Sequence, residues 1–600
     1  MEFEFNFGEQ QLTPQVPQDS SLYASVDGIA QQLDQDELVF MDYESGQNHV
    51  MTVQVLQAMG LTQQFRPLHE HIQHIAGAIP DLKNQHQAIQ KVLQFLIDKQ
   101  LIVSADDWLM KLKQSKDNPG QAPYAGMVVR TCDRPDQLNR LLDSLNTYQQ
   151  HHNSQHPVLV FDDSRQADNR TANEKICQKA TVHVTYHGES WQQQFIAMLQ
   201  KEWPEDSEQI NWLLQQRNGF TGGRVWNLAL LALAGKRFSF FDDDYLMQAR
   251  TADKARLDKI NLSDEMPLSV QFGLNVRDIK QKSNDYNKDL LQEMVNACGQ
   301  SFGQWLAEHP DITTSPLYGL RLMDLNRITA QSTIKTTGNG TWGSPRAAGN
   351  YWLYLLNKEQ REAFWQDRET YLDNIEASQL LHYADHYQVL SQANFAPSTI
   401  DNSEFLPFTM PTETNEDYFF CGLTEACYPN NVSLQFPVMM GHIQTEDRER
   451  SQQNHIARRP GINSFVADYV TSVAHQFYGQ NAQQRFNSTR SAIADLIHNP
   501  DQMLLNRLQE YLSRTRAQLI NQLQSVLTEV EEPPIYWQAD VKELIEANGA
   551  AIKSDDVALL GGWPEDLDAT SSVARLRTEL GEIIEAMDVW PKLWDFCRAQ

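Results

Sequence analysis

The chain has 600 residues, a formal net charge of -29 and 41% hydrophobic residues. This length exceeds a single ordinary core and predicts about three or four domains, while the apolar content excludes a globally disordered chain. The acidic balance argues against binding to nucleic-acid backbones or anionic membranes, and no apolar run approaches the ~20 residues that span a bilayer.

The first 122 residues predict an arm, a small domain and a linker. Residues 1–20 are polar and lack the basic and apolar regions of a secretory signal, so we expect a flexible arm on a cytoplasmic protein. In residues 21–110, the runs Glu37–Asp42 and His49–Val53 predict a β-hairpin. Three helical patterns follow it, over Val53–Met59, Arg66–Ala78 and Gln85–Gln100. Hairpin and helices together are typical of a winged-helix-like α+β domain, and the Gly- and Pro-containing stretch 111–122 predicts a linker.

Residues 123–460 predict a larger α/β domain. Strands at Gly126–Thr131 and Val158–Phe161 flank a helix at Pro135–Tyr148, which indicates a parallel sheet. A further helix, Gly222–Ala234, leads into an apolar strand that ends at Asp242. Residues 461–600 predict a helical region that is divided at Pro533-Pro534. The spacing of leucines in this region fits either packing within a helical bundle or a homodimer contact.

The acidic triplet Asp242-Asp243-Asp244 lies where open α/β sheets bind ligands, at the carboxyl end of a strand. Clustered carboxylates repel one another unless a cation neutralises them, and a hard divalent ion can also bridge a diphosphate. Residues two apart on an extended chain share a side, so we expect Asp242 and Asp244 at the metal and Asp243 turned away. Taken alone, the triplet is equally typical of an acidic turn.

Other polar strand ends and a glycine-rich loop accompany the triplet. Asp162 or Asp163, after the second strand, could hold a uracil or a ribose. The first strand ends in Thr131-Cys-Asp-Arg134, whose hydroxyl and guanidinium suit a nucleotide. The loop before the triplet opens a helix, although its glycines could simply form turns; it carries Gly223, Arg224 and Asn227.

These motifs resemble the glycosyltransferase A fold, particularly glycosyltransferase family 2, over roughly residues 123–450. The resemblance implies a Rossmann-like mixed sheet, a nucleotide-diphosphate sugar donor, with a UDP-sugar favoured, and a Mn²⁺ or Mg²⁺ cofactor. It implies metal ligands at Asp242 and Asp244. It also implies that the nucleotide sugar is bound by Thr131, Arg134, Asp162, Asp163, Gly223, Arg224, Asn227, Asp242 and Asp243.

Three downstream features extend this resemblance. In Thr414–Phe420, which looks like the family's Glu-Asp segment at a helix start, Asp417 is the expected base of an inverting reaction and Glu416 the second choice. His442 follows a strand-like run and could complete the metal shell, although a lone histidine is often structural. The glycine-rich stretch from Lys335 to Arg346 predicts a loop that binds donor or acceptor, with Trp342 as a surface for sugar stacking. The alternative is a loop that only connects two elements.

The N-terminal domain resembles, more faintly, the PqqD-like domains that recognise leader peptides. The resemblance rests on Leu38–Gly46, the following strand and the closing helix, and it implies that a peptide or protein acceptor adds as a strand beside the hairpin. A generic winged helix used for packing is the alternative. Two other readings of the whole chain are a non-catalytic interaction protein on a degenerate transferase core and a nucleic-acid regulator, which the acidic charge disfavours.

Overall fold

The computed structural model describes residues 21–43, 45–114, 120–263, 268–314, 317–345, 351–391, 397–444, 457–554 and 558–600. The arm predicted for residues 1–20 and the middle of the predicted linker, 115–119, lie outside these ranges. Within them, no helix combines the length and the apolar character needed to cross a bilayer.

The N-terminal unit contains two small sheets, with strand orders β5-β1-β6 and β2-β3-β4, and helices packed on them. Its elements are β1 Leu22–Ser25, β2 Gly28–Gln32, β3 Glu37–Asp42, β4 Asn48–Thr52, α1 Val53–Gly60, β5 Arg66–Pro67, α2 Leu68–Ala78, α3 His86–Asp98, β6 Ile102–Ser104 and α4 Ala105–Leu112. The predicted hairpin and the three predicted helices are confirmed. α4 ends at Leu112, two residues inside the stretch 111–122 that was predicted as a linker.

This unit is not separate from the rest of the chain. The main-chain N–H of Phe65 donates to the carbonyl of Leu320 (2.8 Å), and the N–H of Gly319 donates back to the carbonyl of Phe65 (2.9 Å). One continuous hydrophobic core contains both Leu93 of α3 and Met440 of the large sheet. The N-terminal unit therefore shares a core with the α/β body.

The middle of the chain forms a large mixed sheet covered by helices, which makes the fold mixed α/β. The elements are β7 Tyr124–Thr131, α5 Pro135–His152, β8 Val158–Asp162, α6 Ala167–Lys179, β9 Val184–His187, α7 Glu189–Glu202, α8 Ser207–Leu214, α9 Gly222–Ala232, β10 Lys236–Asp242, β11 Tyr245–Ala252, β12 Arg256–Asn261, β13 Leu268–Gly273, α10 Val276–Gln281, β14 Ser283–Asp285, α11 Leu290–Ala297, α12 Phe302–Glu308, β15 Thr313–Thr314, α13 Leu322–Leu325, β16 Ile334–Gly343, α14 Lys358–Phe364, α15 Arg368–Ile375, β17 Gln379–Ala384, β18 His386–Leu390, β19 Ser398–Asn402, α16 Glu416–Cys427 and β20 Val432–His442.

The strand order of this sheet contains a reversal. Strands β9, β8, β7 and β10 are parallel neighbours in that order, so the chain moves outward from β7 to β9 and then returns to the other side of β7. β19 pairs antiparallel with β10 and with β16. Ligands of open α/β sheets bind outside the carboxyl ends of the strands at such a reversal. Thr131 ends β7 and Asp242 ends β10, so both lie there.

The helical region after residue 460 packs onto this sheet. Its helices are α17 Ile462–Val473, α18 Ala482–Ile497, α19 Asp501–Glu529, α20 Ile535–Ser554 and α21 Ala569–Ala599, which confirms the predicted break at Pro533-Pro534. In α21, Trp590 Nε1 donates to the Leu406 carbonyl (2.7 Å) and Trp594 Nε1 to Asn402 Oδ1 (2.9 Å). The regularly spaced leucines of α19, such as Leu512, are buried inside this chain. A homodimer through these helices stays a prediction.

Candidate functional site

A cavity of about 530 Å³ opens at the carboxyl ends of β7 and β10. The predicted site residues that line it come from the ends of β7, β8 and β10, the start of α16 and the end of β20. They are Thr131, Arg134, Asp163, Asp242, Asp243, Asp244, Glu416, Asp417 and His442. Side chains separated by about three hundred positions in the sequence therefore meet at the predicted place.

Asp243 and Asp244 form one half of the acidic cluster. Thr131 Oγ1 donates to Asp243 Oδ2 (2.7 Å), and Arg134 Nη1 lies 3.7 Å from Asp243 and 4.0 Å from Asp244. Burial, with the charge of Asp244, raises the pKa of Asp243 to about 7. Burial would also raise the pKa of Asp244, but His442 outweighs it and holds that pKa below its ordinary value.

His442 and Asp244 lie next to each other in the cavity. His442 Nδ1 lies 2.6 Å from the carbonyl of Ser344, which can only accept, so Nδ1 carries a proton. His442 Nε2 lies 3.4 Å from Asp244 Oδ2. Either Nε2 is also protonated and the ring forms an ion pair with Asp244, or Nε2 has a free lone pair that a metal ion beside Asp244 can use. Asp244 Oδ1 is buried without a hydrogen-bond partner among the described residues.

Asp242 belongs to the other half of the cluster. Arg130 binds Asp242 through Nε, and its Nη1 donates to Glu416 Oε1 (2.8 Å). Burial would lower the pKa of Arg130, but the two carboxylates hold it well above its ordinary value. Glu416 is 5% exposed, and burial raises its pKa although Arg130 opposes the shift. Arg130 thus connects the strand-end acids to the start of α16.

Asp242 and Asp244, which we expected together, have different partners in the structure, and their joint metal role stays a prediction. The contacts put Asp243 beside Asp244 and turn Asp242 toward Arg130, because the chain leaves the extended conformation after Asp242, where β10 ends. The two-residue periodicity of a strand does not continue into the turn that follows.

The residues present fit a divalent cation in part. Asp244 offers an unpartnered carboxylate oxygen, and His442 offers Nε2 when its ring is neutral. The described ranges contain no group of three or more His, Cys, Asp or Glu side chains arranged to hold a metal by themselves. Mg²⁺ is commonly held by one or two carboxylates with substrate phosphates completing its shell, so two protein ligands suit a metal that arrives with a diphosphate.

The carboxylates of Asp162 and Asp163 both accept hydrogen bonds from other groups of the protein. Asp162 Oδ2 accepts from Tyr186 (2.6 Å) and Asn173 (3.0 Å), and its Oδ1 accepts from the N–H of Ser164 (2.8 Å). Asp163 is buried and ion-paired with Arg224, while Gln216 Nε2 donates to its Oδ1 (2.9 Å) and Thr221 Oγ1 to its Oδ2. Both carboxylates shape the strand end, and only Asp163 reaches the cavity wall.

The residues predicted on α9 are structural. Arg224 is buried, and besides Asp163 it donates to the Leu214 carbonyl (2.7 Å). Asn227 exchanges two hydrogen bonds with the main chain of Thr409, at 2.8 and 2.9 Å. A Cβ on Gly223 would lie 1.7 Å from the carbonyl oxygen of Met410. Gly223 and Asn227 thus pack against residues 409–410, and Arg224 is held by Asp163 and Leu214. Their contact with a nucleotide stays a prediction.

The predicted substrate loop is a buried strand. β16 covers Ile334–Gly343, and all ten of its residues are buried. Trp342 is 0% exposed, and its Nε1 donates to the Gln248 carbonyl (2.8 Å). Sugar stacking on Trp342 is therefore excluded in this structure. Arg346, at the end of the predicted loop, lies outside the described residues.

Several cavity residues were absent from the sequence prediction. Arg130 directly precedes Thr131 and points to the other side of β7. Phe220 is 45% exposed in the loop before α9 and presents an aromatic surface to the cavity. Gln444 Nε2 donates to Asp244 Oδ2 (3.4 Å). Strand alternation could have assigned Arg130 to the opposite side from Thr131; no comparable pattern marks Phe220 or Gln444.

A second cavity lies in the N-terminal unit. It measures about 300 Å³ and is walled by apolar side chains of α1, α2 and α3, with Thr52 at the end of β4 on its rim. Among the described strands, β4 pairs only with β3, so one of its edges has no strand partner. An apolar groove thus lies next to the end of an open sheet edge.

No protein-family model matches the chain. A search of the curated proteins also finds no match. The class of protein is accordingly defined by the fold and the cavity alone: a mixed α/β chain with an acidic, arginine-bridged cavity at the reversal point of its sheet.

Proposed function

We propose that the chain is a glycosyltransferase that moves a sugar from a nucleotide diphosphate, with a UDP-sugar favoured, to an acceptor. The observation that carries the proposal is the convergence of Asp244, His442 and Arg134 with the Glu416-Asp417 pair around one cavity at the sheet reversal. The mixed sheet, in which β19 is the reversed strand beside β10, is compatible with the glycosyltransferase A fold.

The donor side of the cavity suits a diphosphate. The guanidinium of Arg134 lies within 4.0 Å of two aspartates, and its side chain is 43% exposed, so it can turn to phosphate oxygens. Asp244 and His442 would hold Mn²⁺ or Mg²⁺. Such an ion supplies positive charge to the departing diphosphate. Thr131 keeps Asp243 in place through its hydroxyl.

The acceptor side favours Asp417 as the base. Glu416 is buried and bound by Arg130, so its carboxylate is not free to take a proton from an acceptor. Asp417 is half-buried, lines the cavity and lies in the first turn of α16. A carboxylate there can accept the proton of an acceptor nucleophile as it attacks the anomeric carbon.

The N-terminal groove suits a peptide acceptor. A peptide strand added along the open edge of β4 would gain main-chain hydrogen bonds, and its apolar side chains could enter the groove of about 300 Å³. This geometry supports the PqqD-like interpretation of residues 21–110 over a unit used only for packing.

The proposal is tested by screening UDP-, GDP- and dTDP-sugars for hydrolysis by the full chain with Mn²⁺, Mg²⁺ or EDTA. We expect metal-dependent release of one nucleoside diphosphate, because water replaces a missing acceptor. Nucleotide binding without turnover under any condition would favour the alternative, an interaction protein on a degenerate transferase core.

A further inference from the structure

The segment 412–418, which carries Glu416 and Asp417, adopts a backbone that needs outside support. Glu413 (φ 67°) and Asn415 (φ 64°) both lie in the left-handed region. Non-glycine residues adopt that region rarely, and Glu lacks the short polar side chain that eases it for Asn. Contacts from elsewhere must therefore hold the chain in this shape.

Those contacts come from the first turn of α17. Asn463 is 1% exposed, and its Nδ2 donates to the carbonyls of Thr414 (2.9 Å) and Thr412 (3.5 Å). The next residue, Ser464, accepts at Oγ from Asn415 Nδ2 (3.2 Å). Two consecutive side chains of the helical region thus bind the main chain on both sides of Glu413 and the side chain of Asn415.

The following turn of α17 holds the start of α16. Tyr418 OH donates to Asp468 Oδ1 (2.5 Å), and Tyr418 directly follows Asp417. Farther along, a Cβ on Gly422 would lie 3.1 Å from Ala467 Cα, so the two helices are in close contact. The orientation of the first turn of α16 therefore depends on α17.

This orientation reaches the strand-end acids through one side chain. Glu416 accepts from Arg130 Nη1 (2.8 Å), and Arg130 also binds Asp242. A shift of the segment would move Glu416 and break this bridge. The helical region is thereby connected to the cavity by hydrogen bonds and one ion pair.

We propose that α17 contributes to the function of the site. In this proposal Asn463 is a positioning residue that orients the carboxylates of Glu416 and Asp417 relative to the acidic cluster. This inference rests on the proposed function. It assigns to the C-terminal helical region a role in turnover, which simple packing of helices would not require.

The test compares Asn463→Ala with Asn499→Ala in the full chain. Asn499 Nδ2 likewise donates to main-chain carbonyls, those of Leu496 (3.1 Å) and Asp495 (3.4 Å), but it lies far along the chain from the 412–418 segment. We expect Asn463→Ala to lower kcat about tenfold with unchanged donor KM, and to speed hydrogen exchange in residues 412–420. Asn499→Ala should change neither. Ser464→Ala serves as a second variant if Asn463→Ala fails to fold.

Equal kcat in the two variants, or unchanged exchange in 412–420, would overturn the positioning role. If the wild-type chain neither hydrolyses a sugar nucleotide nor transfers its sugar, the proposed function is wrong, independently of the positioning role of Asn463. In that case the exchange result alone decides whether α17 holds the segment.

Discussion

Arg130 Nη1 donates to Glu416 Oε1 across 2.8 Å while the same guanidinium binds Asp242, so one arginine connects Glu416, 286 positions farther along the chain, to the end of β10. This relationship separates four of the six acids that line the cavity into two pairs. Asp243 and Asp244 face Arg134 and His442, whereas Asp242 and Glu416 are neutralised by Arg130. Asp417 has no arginine partner among the described residues, which suits a base.

Removing Arg130 should destabilise the protein through Glu416. Arg130→Ala leaves a buried carboxylate without its partner, and breaking a buried pair in this way costs about 3–5 kcal/mol. Adding Glu416→Gln should recover part of that loss, because position 416 then carries no unpaired buried charge. Urea unfolding of the two single variants and the double variant measures the coupling. Strictly additive losses would contradict the bridge.

Asp244→Asn should abolish turnover and spare folding. The substitution keeps the shape of the side chain but removes the charge that faces His442, and loss of such electrostatic stabilisation costs at least ~10²-fold in kcat. Asp143→Asn, an exposed carboxylate on α5, is the control and should retain full activity. Steady-state hydrolysis and melting temperature are measured together. An active Asp244→Asn enzyme would remove Asp244 from the site.

Phe220 and Trp342 should respond in opposite ways. Phe220→Ala removes an exposed aromatic surface of the cavity, so we expect donor or acceptor KM to rise about 3- to 10-fold with unchanged stability. Trp342→Phe removes the donor to the half-buried Gln248 carbonyl, so we expect a loss of about 2 kcal/mol and unchanged KM. Kinetics and thermal unfolding of both variants separate these effects. A raised KM in Trp342→Phe alone would restore the stacking interpretation.

His187 should make the fold sensitive to acid. Burial among Phe161 and Trp191 lowers its pKa from 6.5 to about 4. In the unfolded chain this histidine binds a proton below pH 6.5, whereas in the folded chain it binds one only near pH 4. The free energy of unfolding therefore falls by about 3 kcal/mol as the pH is lowered from 6.5 to 4. Above pH 6.5 the histidine has no effect on it. His187→Phe should flatten the fall, whereas His183→Phe, at an exposed position, should retain it. Identical acid profiles for all three proteins would refute the effect.

The sequence predicted the elements whose side chains follow one periodicity. The apolar runs before Asp162 and Asp242 made their strands and the carboxyl edge of the sheet predictable, and the spacing of leucines such as Leu508 predicted α19. β16 was missed because its Gly, Thr and Asn residues are typical of a loop. Some of its polar side chains nevertheless find partners in other strands: Lys335 pairs with Asp401 (3.0 Å), and Thr336 donates to Ser433 (2.8 Å).

The division of the acidic cluster could not be read from sequence for a different reason. Whether Asp242 or Asp243 lies beside Asp244 depends on a turn and on Arg130, whose second partner, Glu416, comes from a helix far along the chain. Likewise, Gly223, Arg224 and Asn227 fit a nucleotide-binding motif, but their partners in the structure are other parts of the protein. Motif spacing selected residues of which several line one cavity, but it could not foresee the protein partners that surround Gly223, Arg224 and Asn227.

Calorimetric titration of UDP into the full chain with Mn²⁺, repeated with Asp244→Asn, tests the central claim most directly. We expect saturable heat for the wild type that disappears with EDTA and is greatly reduced in the variant, because Asp244 and the diphosphate would share the ion. Absence of metal-dependent heat for UDP, GDP and dTDP alike would contradict a metal-dependent nucleotide-sugar site at the end of β10.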